Sequence, residues 1–571
     1  MKISYNWLKE YVPKLPPPEK VAELLTTHAF EVEGIEKKGK DTVLDVAVLP
    51  NRAHDCLSHQ GIAWEIAAIL NSKFKIQNSK LEESRDARIK DFLKVEVKDK
   101  KRCSRYASRV ILGVKVGPSP AWLKERLEAL GQRSINNLVD AANCVMFALG
   151  QPLHVFDLDK IEGKKIVVRK AKRGEKITTL EGERIVLEPT DLVIADARGV
   201  LGIAGIKGGT KAAVTERTRN SALESAYFDP QAIRKTSRRI GLRTEASWRF
   251  ENGVIPSLQP IALDELAALV VKLAGGNVAF GVIDTARQKA VPAQTVAWNP
   301  ERVNRLLGAE ISAKEMVAIL DRLGFKTEAS KGGCLSRVPW WRLDVESEAD
   351  IAEEVGRMRG YMNIPSRLPS STLVPPAHND EALLTEKMRA ALSHSGLTDA
   401  YSRSFVGARH LAWLGGKHPR LVSVANPLSE EQSCLRPSLL FGLLGNVAEN
   451  LKHQKSARLF ELGAVFSLED ARQVREEKMC AGVIALRKKE GGKDTRVFYE
   501  AKGAADTLLE KLGLDDVWYD DFHPTSGYSD RRFWHKGRTA QIKVGGREIG
   551  TVGEMSPEVL SRIGISERVA A

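Results

Sequence analysis

The densest set of hard oxygen donors in this chain lies between Asp344 and Glu354. Asp350, Glu353 and Glu354 fall at i, i+3 and i+4, the spacing of one helical face, and Asp344 stands in the turn before them. Four carboxylates converging on a helix start suit Mg2+, which takes one or two direct carboxylates and completes its octahedron with water. The same residues have a second reading. Ser347-Glu348-Ala349-Asp350 has the spacing of a capping box, and acids in a first turn meet the positive end of the helix dipole. Asp350 is therefore explained with or without an ion.

Three other stretches carry chemistry. His154 follows the stiff turn Gly150-Gln151-Pro152, where an imidazole binds or orients a water or simply completes the local structure. The run from Gly202 to Gly209 has enough glycine for close backbone approach to a ligand. It lacks the lysine and hydroxyl pattern of a P-loop, and a tight hairpin explains it equally well. The third stretch runs from Glu224 through Phe228-Asp229-Pro230 to Ser247. Inside it, Arg234/Arg238 and Lys235/Arg239 are like-charged i, i+4 pairs on a predicted helix near 230–240. Such pairs repel unless a polyanion neutralises them or solvent screens them.

These residues need elements to position them, and the chain contains a repeated unit that does so. Val21–Glu33 resembles Met316–Glu328, each reading as an amphipathic helix running into an alternating strand. Asp55 is followed by Ile62-Ala63-Trp64-Glu65-Ile66, and Asp344 by Ile351-Ala352-Glu353-Glu354-Val355. Each copy therefore reads as helix, strand, strand, Asp-bearing turn, helix. Gly61 and Trp64 stand where the second copy has Asp350 and Glu353, so the scaffold itself does not require all four carboxylates.

A chain of 571 residues exceeds one hydrophobic core and predicts several domains. The reading is a multidomain α+β protein with boundaries at 1–85, 86–290, 291–368 and 369–571. Hydrophobic and charged shares of 43% and 28% are those of ordinary globular protein, and no apolar run reaches membrane-spanning length. Six cysteines at least 41 residues apart form no local CxxC site and fit a reducing, cytoplasmic setting. The net charge of +14 favours a polyanionic partner such as nucleic acid, or serves solubility.

Seven motifs, in order, resemble the β-subunit family of bacterial-type phenylalanine–tRNA ligases. They are Met1–Val12, Pro50-Asn51-Arg52 with Asp55–Ser58, Gly150–Asp157, Gly202–Gly209, Arg238–Ser247, Trp341–Tyr361 and Asn426-Pro427-Leu428-Ser429. The resemblance implies two small α+β modules flanking a mixed editing domain, followed by a non-catalytic class II synthetase-like antiparallel-sheet domain. It implies an α2β2 tetramer in which the α-subunit activates phenylalanine with ATP and charges tRNA(Phe). It places Mg2+ ligands on Asp344, Asp350, Glu353 and Glu354. The middle domain would hydrolyse tyrosine wrongly attached to the tRNA. Glu224 would hold the tyrosine hydroxyl, and His154 would position ester and water. Gly205, Thr244 and Ala246 would line the pocket, and Arg133 would touch the tRNA 3′ end.

The chain departs from the family at Trp248, where histidine is usual, and at Val155, where alanine is common. The family's inserted OB-fold domain has no room between Gly34 and Pro50, and the C-terminal anticodon-binding domain is not in this sequence. The internal position of the first absence points to a naturally reduced subunit. Two rivals stand beside the editing subunit: an editing-inactive scaffold that binds tRNA or a partner, and, more distantly, a DNA-binding regulator.

Overall fold

The computed structural model describes residues 1–75, 80–286, 294–415, 421–470, 473–486, 496–521 and 530–571. The expected boundary at 290/291 lies outside the described residues. The chain divides into two compact units, Met1–Pro369 and Ser370–Ala571. The multidomain α+β class holds throughout, and no helix among the described residues is long and apolar enough to cross a membrane.

In the first unit both copies of the repeat fold as the alternation predicts. The first runs from helix Pro18–His28 through strands Val32–Lys38 and Asp41–Val46 to helix His59–Ile69. The second runs from helix Ala313–Arg322 through strands Lys326–Ser330 and Gly333–Arg337 to helix Glu348–Arg359. Lys38 pairs with Asp41 across a two-residue turn in which Gly39 takes φ +60°. Glycine suits that left-handed position, and the hairpin is closed where an inserted domain would have to enter.

The two copies meet through aromatic and charged side chains. The Trp64 and Trp341 rings lie 4.9 Å apart, edge to face, over Gly324. A Cβ on Gly324 would come within 2.9 Å of Trp341. Beside them is a buried ion network. Arg52 binds Asp55 at 2.8 Å and Glu65 at 2.6 Å. Arg342, in the corresponding turn of the second copy but one position nearer its aspartate, binds Asp344 at 2.7 Å and Glu354 at 2.6 Å. Arg357 bridges the copies, 2.6 Å from Glu65 and 2.6 Å from Glu354. Burial would raise the Glu65 pKa, but the Arg357 and Arg52 guanidiniums overcome it and hold the carboxyl at about 2. Glu354 likewise sits well below the usual range, burial being outweighed by Arg357 and Arg342.

Between the copies lies a layered α/β body. Strand Asn220–Phe228 lies one in from the edge of a six-stranded sheet, antiparallel to Cys103–Leu112 on one side and to the edge strand Leu153–Asp157 on the other. Helices Asn137–Leu149 and Leu258–Ala274 cover one face, where Val155 and Leu223 are buried. Phe156, Ala222 and Ala226 face the other way, into a core shared with a second, five-stranded sheet. That sheet contains the Gly-rich hairpin Val200–Ile203/Lys207–Gly208.

The second unit is built on a seven-stranded sheet, antiparallel except at the Thr398–Asp399 edge. Its longest pairing joins Ser456–Asp470 to Gln473–Leu486. Arg436 and Glu461 form a buried pair at 2.6 Å against this sheet.

Removing one member of a buried ion network leaves its partners charged and unpaired. Glu65→Ala is therefore expected to cost about 3–5 kcal/mol, read by urea unfolding. The Glu65, Asp344 and Glu354 carboxyl pKa values are depressed on folding, burial being outweighed chiefly by the guanidiniums beside them. The network's contribution should be intact above the ordinary glutamate value and be lost as pH falls toward about 2. A Glu65→Ala variant as stable as wild type would show that the network does not hold the modules together.

Candidate functional site

Strand pairing brings together two residues that the sequence separates by seventy positions. Glu224 is in register with His154 on one neighbouring strand and with Ser108 on the other. Residues directly opposite in antiparallel strands share a face, so both belong to the side that faces the five-stranded sheet. Tyr106 reaches diagonally across the ladder, and its hydroxyl donates to Glu224 Oε2 at 3.1 Å. Glu224 Oε1 has no hydrogen-bond partner among the described residues.

Burial sets the protonation of both groups. It drives the Glu224 pKa up to about 8, with the Tyr106 hydrogen bond opposing it only in part. It pushes the His154 imidazole down to about 4. At neutral pH the pair is a protonated carboxyl beside a neutral imidazole. Such a carboxyl can exchange hydrogen bonds with a phenol, and such an imidazole can take a proton from water.

The surroundings fix these side chains. His154 packs edge-on against Phe156, with ring centres 4.4 Å apart. Gly208 lies against the imidazole so closely that a Cβ there would sit 2.7 Å from His154 Cε1. The turn before His154 is held by buried amides. Gln151 Nε2 donates to Ala226 O at 2.9 Å, and Gln259 Nε2 donates to Gln151 Oε1 at 2.9 Å. Thr244 caps the helix Glu245–Glu251 by accepting from Ser247 N, and its hydroxyl donates to Ile206 O at 3.0 Å. The helix is thereby tied to the Gly-rich turn.

Gly205 takes φ +68° in that turn, and a Cβ there would meet Phe250, Ile233 and Phe228 within 2.9–3.1 Å. It is a close-approach position against the core. Ala246 is half-buried on the Glu245–Glu251 helix, and Arg133 is exposed in the loop before Asn137. No hydrogen bond joins either to His154 or Glu224 among the described residues. Val155 faces the opposite, helical layer, so its departure from the common residue does not touch the site. Tyr106 and Gly208 were not among the expected site residues. Strand register reveals Tyr106, and the packing of the two sheets brings Gly208 to His154, although the Gly202–Gly209 run was itself a signal.

The carboxylates near Asp344 are placed differently from the shared face expected of them. Arg342 takes Asp344 through both carboxyl oxygens, at 2.9 and 2.7 Å. Glu354 is buried and held by Arg342 and Arg357. Asp350 Oδ2 accepts from the Glu346 and Ser347 amides and from the Ser347 hydroxyl, as a capping box does. Glu353 points to solvent. No group of three or more His, Cys, Asp or Glu that could hold a metal occurs among the described residues. As arranged, these four donors do not fit a common Mg2+, because arginine already neutralises two of them.

Comparison with known proteins adds an independent line. Residues 102–275 match the family model described as B3/4 domain, and residues 296–361 match the tRNA synthetase B5 domain. Residues 364–571 match the phenylalanyl tRNA synthetase beta chain CLM domain. The chain is 39% identical over 543 residues to the phenylalanine–tRNA ligase beta subunit of Geobacter metallireducens, covering 93% of this chain and 66% of that protein. It is 41% identical over 528 residues to the subunit of the same name from Anaeromyxobacter dehalogenans, covering 90% and 64%. With that of Syntrophus aciditrophicus it shares 35% over 571 residues, covering 97% and 68%. The chain spans about two thirds of the length of the curated relatives it matches.

Two measurements follow from this geometry. The folded-state pKa of Glu224 is raised, so its stability term is complete below the ordinary glutamate value and is lost as pH rises through about 8. Glu224→Gln should therefore unfold at higher urea than wild type near neutral and alkaline pH, with the gap closing in mild acid. A constant gap would mean that the carboxyl titrates alike in the folded and unfolded chain. Separately, millimolar Mg2+ or a chelator is expected to leave the thermal midpoint unchanged. A midpoint that climbs with Mg2+ would show Arg342 yielding Asp344 and Glu354 to the ion.

Proposed function

The chain belongs to the phenylalanine–tRNA ligase β-subunit family, and from that premise we propose that it is a scaffold and proofreading subunit of that enzyme. It assembles with an α-subunit, as α2β2, in the cytoplasm. The partner attaches phenylalanine to tRNA(Phe) with ATP, and this chain hydrolyses tyrosine mischarged onto that tRNA. Residues 86–290 act as the editing body between the two repeated modules, and residues from 369 onward act as the non-catalytic synthetase-like domain. Arg342 and Arg357 occupy Asp344 and Glu354, and the editing chemistry is assigned to side chains of residues 86–290 alone.

One observation supports the editing role above others: Glu224 already binds a phenol. The Tyr106 hydroxyl rests on Oε2, while Oε1 has no partner among the described residues. A tyrosyl ester would bring a second phenol to the free oxygen. A phenylalanyl ester would leave that buried polar group unmatched, which is how a site selects for a hydroxyl. His154, neutral at working pH, would orient the attacking water and accept its proton near the ester carbonyl. Gly208 keeps room for that ring, and the Gln151–Gln259 pair holds its strand. Arg133, Gly205, Thr244 and Ala246 belong to the proposed lining.

A second reading draws on the same contact. Tyr106 is an internal phenol on Glu224, and a site filled by its own chain would suit an editing-inactive scaffold. Deacylation of tyrosyl-tRNA(Phe) decides between them. The αβ complex is expected to release tyrosine, and Glu224→Ala to slow release by about 10- to 100-fold, the worth of a hydrogen bond to a buried polar group. Release no faster than in buffer would establish the scaffold, and equal rates in both proteins would remove Glu224 from the mechanism. The purified chain alone should show no phenylalanine-dependent ATP–pyrophosphate exchange.

A further inference from the structure

The helix Pro230–Ile240 buries Ile233, Thr236 and Ser237 and turns Arg234, Lys235, Arg238 and Arg239 to solvent. Arg239 is paired with Asp191. Arg234, Lys235 and Arg238 have no ion pair among the described residues, although i, i+4 spacing sets Arg234 against Arg238. A second exposed pair, Lys100 and Lys101, is fastened to the same surface. The Asp229 amide at the helix start donates to Arg102 O at 2.8 Å, and Arg102 Nη1 donates to Thr190 O at 2.8 Å. Next to Thr190, Asp191 accepts from Thr236 of the helix at 3.0 Å. Lys100 and Lys101 also lack an acidic partner among the described residues.

We propose that Lys100, Lys101, Arg234, Lys235 and Arg238 form a docking surface for an RNA phosphate backbone, leading the ester-bearing end toward Glu224. The inference rests on the editing role above and adds the surface that delivers its substrate. Cations that served solubility alone would gain from being spread out, because neighbours of one sign repel. Here three of the five stand on the one helix that connects the two segments of the site, and Lys100 and Lys101 adjoin Arg102, which is tied to the start of that helix. The strand carrying Glu224 ends at Phe228, directly before the helix, and Thr244 and its capped helix follow directly after it. Ile233, on the buried side, lies 3.0 Å from where a Gly205 Cβ would be. The row of positive charge thus borders the site while staying outside it. Regularly spaced phosphates are the polyanion that suits such a row.

The test measures tRNA binding by the full-length chain across a KCl series, for wild type and for the triple variant Arg234→Gln, Lys235→Gln and Arg238→Gln. These side chains are exposed, and matching urea midpoints will confirm that the variant folds. Each phosphate contact contributes about 0.7–0.9 to the slope of log affinity against log salt, so the triple variant should lower the slope by about 2. Its affinity at low salt should fall at least about tenfold. Glu224→Ala is the contrasting variant, expected to slow tyrosine release while keeping the wild-type salt slope. An unchanged slope in the triple variant overturns the surface, and it does so whether the face is free or serves an acidic protein. Failure of wild type to release tyrosine would instead defeat the editing role, and the slope would still decide the surface.

Discussion

Everything in the first unit is organised around three arginines that have been taken out of water. Arg52, Arg342 and Arg357 are buried and face Asp55, Glu65, Asp344 and Glu354. Desolvating a guanidinium or a carboxylate costs several kcal/mol, so such a cluster survives only where geometry returns that cost. Here the geometry is supplied twice by the same fold. Each copy places an arginine in the turn before its last helix and a glutamate on that helix. Arg357 then closes the arrangement by reaching from the second copy to Glu65 of the first. Rotated away from the second copy, the first would keep only Arg52 for the two carboxylates Asp55 and Glu65, and Arg357 would lose one of its two partners. The network therefore selects one relative placement of the modules, which apolar packing of Trp64 on Trp341 alone would specify less strictly.

The placement matters because the layered body is fastened to the first module as well. Arg249, fully buried on the helix capped by Thr244, donates to Leu57 O at 3.2 Å and lies over the Phe147 ring. The helix that anchors the Gly-rich turn thus reports to the same module that the ion network fixes. Local rules are obeyed in most of this body and broken at Glu224. A carboxyl in a strand that otherwise turns Ala222 and Ala226 inward costs stability at neutral pH, as its raised pKa records. A residue that defies the pattern of its own strand is where function is expected to reside.

Much of this was legible in the amino-acid order. Helix–strand–strand–helix repeats, a hairpin within Gly202–Gly209 and the basic helix all follow from local periodicity and turn chemistry. His154 and Glu224 stood out by their motifs, but their adjacency depends on strand register, which local sequence does not encode. Tyr106 illustrates this best, since nothing within several residues of it distinguishes it from any aromatic of a buried strand. The Asp344–Glu354 cluster shows the opposite failure. Spacing correctly marked it as unusual, yet helical spacing cannot tell that Glu354 faces the core while Glu353 faces solvent. Nor can it tell that Arg342, two residues before Asp344, will occupy the carboxyls. A metal ion and guanidinium N–H donors compete for the same carboxylate oxygens, and only packing reveals which arrives.

A similar division between charged and neutral groups holds in the proposed editing body. With Glu224 protonated and His154 neutral, the proposed site presents almost no net charge to a substrate that is a polyanion. A neutral, desolvated site can discriminate one hydroxyl, because an unmatched polar group is costly there and a long-range field would not distinguish tyrosine from phenylalanine. It cannot also supply the attraction that brings the nucleic acid in. Binding energy must then come from parts of the substrate remote from the ester. The positive charge of Arg234, Lys235 and Arg238 stands outside the core, where water keeps it ionised at little cost and where it does not disturb the pKa of Glu224. Separating the charged grip from the neutral selector lets each operate in the dielectric it requires.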